Sequence, residues 1–434
     1  MSASHVPAVR RAGLALAALA CAGWASAQDV AAPAAGPVLK PGARVAIVGD
    51  SITEQKLYSR FLEVYLRACV AERPAAVLQL GWGGETAQGF VGRMERDLLP
   101  FKPTLVTTCY GMNDGGYRAY AEPIGESYRN AMQKLVEKAK AAGAVVVAGS
   151  PGAVDTLHFR RGTPDIANVY NESLGKLGDL ARGVATAAGM PFADVHAPLI
   201  EAMAKAKAAL GEEYDVCGRD GVHPGPNGHL VMAAAFLKAL GVAGDIGTIR
   251  VTLGGKDTAA VATPGHKVIR AEGGTIEIES ERYPYCFVGD TRSANSPVSI
   301  LPFFPFQQEL NRLVLEVKGL QAEKAKVTWG AASRDFTRAE LEAGVNLAEA
   351  FLDNPFCAAF AKVDQAVAAK QNYETAMVKG ALVGLDGARR ALAANAETDA
   401  AIATLTRQLW ARQAELDAAV RETVVPVRHT LVIE

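Results

Sequence analysis

The chain has 434 residues, of which 50% are hydrophobic and 21% charged, with 45 Lys and Arg against 46 Asp and Glu for a net charge of -1. At ~150 residues per domain this length holds two or three domains and a large buried core, which excludes a mini-protein, and the apolar content excludes a chain that stays disordered. The balanced charge, with no long run of one sign, excludes the dense cationic stripe that a nucleic-acid partner requires.

Residues 1–27 read as a secretory signal peptide. Arg10 and Arg11 precede an apolar stretch from Ala12 to Trp24, and Ala25-Ser26-Ala27 supplies the small-residue cleavage pattern. The stretch is shorter than the ~20 residues that span a bilayer, and no later run is long enough either, so no transmembrane segment is expected in the mature chain. The expectation is a periplasmic or secreted protein. Acylation at Cys21 is the weaker alternative, because Ala18 stands where a larger aliphatic residue is preferred. Residues 28–42 read as a linker.

From 43 to 243, short apolar runs alternate with amphipathic ones. Strands are expected at 45–48, 76–80, 104–109, 144–149 and 191–195. Between them Leu57, Phe61, Val64 and Ala68, then Tyr128, Met132, Leu135 and Ala139, recur at helical spacing. This alternation predicts an α/β domain with a parallel sheet covered on both faces, whose ligands sit outside the carboxyl ends of the strands.

The texture changes after 243. Residues 275–279 and 312–317 alternate with the period of two of half-buried strands, so 244–354 reads as a β-rich accessory domain. Residues 355–424 read as a helical hairpin, with Phe356, Phe360, Val363 and Val367 on one arm and Ile402, Leu405, Leu409, Leu416 and Val420 on the other. Gly380, Gly384 and Gly387 are expected in the connection between them. Residues 425–434 supply a closing strand for the β-rich domain. Tyr283, Tyr285, Phe287, Phe303, Phe304, Phe306 and Trp329 can stack on sugar rings when exposed, but core packing is the favoured reading in a β domain.

Beyond the signal segment the cysteines are Cys69, Cys109, Cys217, Cys286 and Cys357, an odd and scattered set that suits small buried thiols with at most one or two bridges. No Cys-x-x-Cys, His-Glu-x-x-His or tight His/Cys cluster occurs, so no metal and no cofactor is expected.

Three polar corners follow the first three strands: Gly49-Asp50-Ser51, Gly83-Gly84-Glu85-Thr86 and Gly111-Met112-Asn113-Asp114. Each alone is ordinary turn chemistry. Together on one rim they can supply a serine nucleophile near a helix N-terminus, a backbone N–H at Gly84 that no Cβ obstructs, and a side-chain N–H at Asn113. A general base is offered by Asp220-Gly221-Val222-His223, where the carboxylate can hold the imidazole Nδ1–H while Nε2 takes the serine proton. Asp155-Thr156-Leu157-His158 has the same spacing. Spacing does not choose between the pairs; the place of His223 just before the last helix, and the tight Pro224-Gly225-Pro226-Asn227 turn, favour Asp220 and His223.

In these four blocks, from about Val45 to Leu240, the chain resembles the SGNH hydrolases, also called GDSL esterases and lipases. The resemblance implies a three-layer α/β/α fold and a shallow open site without a metal. It further implies Ser51 as nucleophile, Asp220 and His223 as its partners, and Gly84, Asn113 and the Ser51 N–H as oxyanion-hole donors. Glu85 stands where the family often has Asp and Gly83 where it often has Ser, which implies an altered pocket shape. No Gly-x-Ser-x-Gly occurs, against an α/β-hydrolase nucleophile elbow. Asp50, Trp82, Tyr110, Met112 and Tyr117 flank the motifs as candidate pocket residues.

The leading expectation is therefore a secreted or periplasmic serine esterase that removes a short acyl group, acetyl, from a carbohydrate or other polymer. A lysophospholipase, lipase or thioesterase on longer acyl chains, and a non-catalytic glycan- or partner-binding protein on a hydrolase scaffold, are the alternatives. The partner is an ester substrate, read as an acylated glycan, with no nucleic acid; oligomeric state is not legible.

Overall fold

A computed structural model describes residues 38–434 except 162, 164, 255, 256, 393 and 394. The signal-peptide reading, Cys21 and most of the 28–42 linker lie outside the described residues. No helix among the described residues is long and apolar enough to cross a membrane.

The first five strands are β1 (Arg44–Gly49), β2 (Ala76–Gly81), β3 (Leu105–Cys109), β4 (Val145–Gly149) and β5 (Phe192–Ala193). Helices α1 (Ser51–Glu54) and α2 (Tyr58–Ala68) follow β1, α3 (Ala87–Asp97) follows β2, and α4 (Glu122–Ala141) follows β3. Then α5 (Ile166–Ala188) follows β4, and α6 (His196–Leu210) and α7 (Pro226–Ala239) follow β5. The strands form one parallel sheet in the order β2-β1-β3-β4-β5, with Ile47 opposite Gln79 on one side and Thr107 on the other.

Alternate residues of each strand feed opposite layers. Val45, Ile47, Val77, Leu105 and Val147 pack with Phe61, Leu62 and Tyr65 of α2 and Leu230 and Phe236 of α7. Ala46, Val48, Leu78, Val106 and Ala148 pack with Phe90 and Met94 of α3, Met132 and Leu135 of α4 and Leu177 of α5. Because both faces are covered, the strands are largely apolar rather than alternating, with Gln79, Thr107 and Thr108 as buried polar exceptions, and each large aliphatic side chain so buried contributes ~1.5–3 kcal/mol. This is a three-layer α/β/α arrangement.

The rest of the chain adds β6 (Asp245–Gly254), β7 (Asp257–Ala262), β8 (His266–Glu272), β9 (Thr275–Ser280) and α8 (Phe306–Leu310). They are followed by β10 (Arg312–Lys318), β11 (Lys324–Trp329), β12 (Ala332–Thr337), α9 (Arg338–Ala343), β13 (Val345–Asn346) and α10 (Leu347–Ala350). Helices α11 (Cys357–Thr375), α12 (Val383–Ala391) and α13 (Ala396–Glu422) and strand β14 (Val427–Ile433) complete the chain. Two further sheets form, β13-β10-β6-β7 and β12-β11-β14-β9-β8, so the last strand lies inside its sheet, between β11 and β9. Tyr283, Tyr285, Phe287, Phe304, Phe306 and Trp329 are buried and Phe303 is half-buried. Tyr285 stacks on Tyr65 of α2 at 6.1 Å between centroids, which joins this core to the first.

Gly380, Gly384 and Gly387 do not form the connection between the helical arms. Gly380 lies in a π-helical stretch, Ala376–Leu382, that joins α11 to α12, and Gly384 and Gly387 lie within α12. An interior glycine costs a helix only ~1 kcal/mol, and helix formers surround these three. The break comes later, before α13, where the Asn395 side chain caps the Thr398 N–H.

Strand β2 is the edge of the parallel sheet, and α11 and α13 cover that edge with charged and amide side chains. Asp417 Oδ1 accepts from Val77 N at 3.0 Å and from Arg67 at 2.5 Å, and Glu374 Oε2 accepts from Gln79 N at 3.0 Å. Lys370 donates to Val77 O and to Glu374 Oε1, each at 2.7 Å, with Glu63 Oε1 at 3.1 Å. All of these side chains are buried, so each charge depends on its partners. Asp417→Ala leaves the Arg67 guanidinium and the Val77 N–H without that acceptor, and should destabilise the fold by about 3–5 kcal/mol in denaturant unfolding. A loss below about 1 kcal/mol would show that the network relaxes around the gap.

Candidate active site

The residues singled out at the strand ends meet on one rim. Ser51 opens the helical turn α1 directly after β1. Asp50 caps that turn, its Oδ1 accepting from Ile52 N at 2.9 Å. The turn lies hard against the sheet: a Cβ at Gly49 would stand 2.1 Å from Thr53 Oγ1, and one at Gly81 would stand 2.2 Å from Glu54 N.

Ser51 Oγ is 2.8 Å from His223 Nε2, and His223 Nδ1 is 2.6 Å from Asp220 Oδ2. A carboxylate facing Nδ1 holds the proton there, so Nε2 is the lone-pair nitrogen that accepts the Ser51 hydroxyl. Asp220 Oδ1 accepts the backbone N–H of Val222 and of His223, both at 2.9 Å. Burial pulls the Asp220 carboxyl pKa up, but these N–H groups and the imidazole outweigh it, and the net shift is downward. The group stays a carboxylate and orients the ring.

The His223 loop is braced from two sides. On α7, His229 Nδ1 accepts Tyr58 N at 3.1 Å, so its Nε2–H donates to Gln55 Oε1 at 3.0 Å, and Gln55 donates on to Pro224 O at 3.5 Å. Burial pushes the His229 imidazole down to about 3, which keeps it neutral as this relay needs. On the other side, Asp155 N donates to Gly221 O at 2.9 Å. The rival pair thus serves the loop it was weighed against. His158 Nδ1 meets Asp155 Oδ1 at 2.9 Å, that oxygen also takes Lys207 Nζ at 2.9 Å, and His158 Nε2 looks toward Glu213 at 3.7 Å rather than toward Ser51.

Gly84 has φ +73°, is exposed, and its N–H meets no acceptor among the described residues; the Ser51 N–H is likewise open. The position a Gly83 Cβ would take lies 3.9 Å from Ser51 Cβ, so this loop borders the serine. Asn113 Nδ2 gives one hydrogen to Glu85 O at 3.0 Å, and its Oδ1 accepts Tyr117 OH at 2.8 Å. The amide is clamped at both ends with its second N–H remaining. Tyr117 holds a left-handed backbone, φ +58°, and Arg161 lies over its ring at 4.1 Å. Asp114 ties the corner down, accepting from Ala87 N and Gly111 N at 3.0 Å each.

Among the pocket candidates, Trp82 and Tyr117 are half-buried at the rim. Asp50, Tyr110 and Met112 are fully buried, so they do not line an open pocket. Glu85 turns inward to Arg93, at 2.6 and 2.7 Å, and to Tyr110 OH at 2.8 Å. The five described cysteines are unpaired. Among the described residues no group of three or more His, Cys, Asp or Glu side chains is arranged to hold a metal ion. Sequence reading passed over Glu54, Gln55, Arg93, His229 and Lys379. Glu54 and Gln55 lie within four residues of Ser51, but nothing in the pattern marks the others.

Residues 47–231 match the GDSL-like Lipase/Acylhydrolase family. No curated protein matches the chain. Among solved structures, the chain is similar to BT4096, a gut microbial diltiazem-metabolizing enzyme, with 22% identity and a TM-score of 0.71 over 92% of this chain and 99% of that one. It is also similar to Axe2, an acetylxylan esterase from Geobacillus stearothermophilus, with 22% identity and a TM-score of 0.39 over 47% of this chain and 96% of that one. The likeness to BT4096 extends across the C-terminal sheets and helices as fold.

Burial, with smaller contributions from Asp114 and Glu85, pushes the Asp50 carboxyl up to about 7, partly offset by the Ile52 N–H. A raised folded pKa contributes stability that is complete below the unfolded value of about 4 and is lost as pH rises through about 7. Asp50→Asn keeps an acceptor for Ile52 but cannot ionise. Its Tm relative to wild type should therefore shift in the variant's favour between about pH 5 and about pH 8.5, as thermal denaturation at both will show; a constant difference would contradict the assignment.

Proposed function

From the match of residues 47–231 to the GDSL-like lipase/acylhydrolase family, we propose that the chain is a serine esterase working through Ser51, His223 and Asp220. The Ser51 Oγ–His223 Nε2 contact at 2.8 Å, continued to Asp220 at 2.6 Å, is the observation that carries the reading. Ser51 Oγ attacks the ester carbonyl while His223 Nε2 takes its proton. The Ser51 N–H, the Gly84 N–H and the second Asn113 N–H hold the oxyanion. Collapse expels the alcohol with the proton from His223, and water, deprotonated by the same imidazole, then releases the acid and restores Ser51. Asp220 keeps the ring in register and stabilises its cationic form.

One feature supports a large carrier. The His223 and Asp220 side chains are 31% and 52% exposed, an open rim that admits a polymer chain. Together with the signal-type sequence of residues 1–27, this supports action on an acylated glycan in the periplasm or outside the cell.

Hydrolysis of p-nitrophenyl esters from acetate to palmitate should be fastest on acetate, fall with chain length and vanish in Ser51→Ala; a maximum at long chains would instead favour a lipid substrate. His223→Ala should abolish turnover while His158→Ala retains it. Asn113→Ala should lower kcat roughly 10²- to 10³-fold, and an unchanged kcat would remove Asn113 from the oxyanion site.

A further inference from the structure

We infer that Lys379, from the C-terminal helices, is a positioning residue for the Gly83–Gly84 donor loop, so that the acyl site is complete only when those helices are docked; this rests on the esterase reading above. Lys379 Nζ lies 2.5 Å from Glu54 Oε1, and the other carboxylate oxygen, Oε2, accepts Gly83 N at 2.5 Å. One carboxylate thus bridges an ammonium from the far end of the chain to the peptide next to Gly84. Glu54 belongs to the same helical turn as Ser51 and is tied to it by Glu54 N donating to Asp50 O at 3.0 Å. The bridge therefore fixes the distance between the serine and the loop that borders it.

The lysine is held in place. Its neighbours Met377 and Val378 are buried against the α3 and α4 layer, and Asp386 of α12 pairs with Arg96 of α3 at 3.1 Å. The π-helical stretch Ala376–Leu382 carries Lys379 to the rim, and such π-helical turns within helices are frequent at functional sites. Its ammonium also lies 5.2 Å from the Trp82 ring, whose neighbourhood Arg93 shares at 5.0 Å. A Cβ at Gly83 would come within 2.8 Å of Glu54 Oε2, so glycine there is what lets the carboxylate close on the loop.

Without the ammonium, the Glu54 carboxylate is free to turn to solvent, and Gly83 loses a charge-assisted acceptor. The Gly84 N–H then wanders from the position where oxyanion charge develops.

The test compares Lys379→Met, which keeps the stem, with Lys379→Arg and Glu54→Gln. Lys379→Met should lower kcat on p-nitrophenyl acetate roughly tenfold with KM within about twofold, Lys379→Arg should restore most of it, and Lys379→Met with Glu54→Gln should cost little more than Lys379→Met alone. A second readout does not need ester turnover: the rate at which a fluorophosphonate labels Ser51. There the serine oxygen bonds to phosphorus, fluoride leaves and the proton passes to His223. Labelling should slow in Lys379→Met and recover in Lys379→Arg. Wild-type labelling and turnover in Lys379→Met, or a loss that arginine does not restore, would overturn the inference. If Lys379→Met does not fold, Lys379→Arg with near wild-type rates and Glu54→Gln with a lowered labelling rate support it, and unchanged labelling in Glu54→Gln overturns it. A wild-type chain that takes the phosphonate on Ser51 yet hydrolyses no ester removes the esterase reading and leaves Lys379 to be judged by the labelling rates; one that takes none removes both.

Discussion

The helical turn that begins at Ser51 is wedged between the ends of β1 and β2, and the rest of the site is arranged around that wedge. Gly49 and Gly81 admit it because a Cβ at either place would overlap the turn, at 2.1 and 2.2 Å. With the turn seated, the Ser51 N–H and hydroxyl are presented at the strand ends, where the sheet's parallel order gathers the loops after β2 and β3 as well. The imidazole is then brought to Ser51 from α7's leading loop, which is pinned through His229, Gln55 and Asp155. The arrangement of Ser51 and His223 is a consequence of close backbone approach first and of side-chain hydrogen bonding second.

The same edge of the sheet explains the C-terminal helices. An edge strand leaves alternate N–H and C=O groups unpaired, and β2 meets that problem with the side chains of Asp417, Glu374 and Lys370 in place of another strand. These charges are buried and costly unless every partner is present, which ties the seating of the helices to the integrity of β2. β2 in turn leads directly into Trp82, Gly83 and Gly84. The line of polar contacts that satisfies the edge therefore ends at the rim, in the Lys379–Glu54–Gly83 bridge.

Much of the α/β half was legible because its signals are local. Doubly covered strands are largely apolar, so β1 to β4 stand out as β-rich runs, and Ser51, Gly84 and Asn113 each lie within a few residues of a strand end. The Asp220–His223 spacing is legible for the same reason, and so was its rival, since spacing carries no information about which loop faces the serine. Sequence adjacency also does not say which side chain faces outward: Tyr110 and Met112 lie within three residues of Asn113 but are buried in the core. The glycines of the helical arm misled because a helix tolerates them, whereas the turn was signalled by a single Asn395 cap. Lys379 and Glu54 are separated by 325 positions, and no local pattern links two residues so far apart.

The central claim is that Ser51 is the acyl acceptor. The most direct measurement is mass spectrometry of the protein quenched in acid just after mixing with p-nitrophenyl acetate, with peptide mapping of any adduct. The account predicts the gain of one acetyl group on the peptide that contains Ser51, transient in the wild type and absent in Ser51→Ala. Turnover of the ester with no acetyl on Ser51, or with the acetyl on another residue, would contradict it.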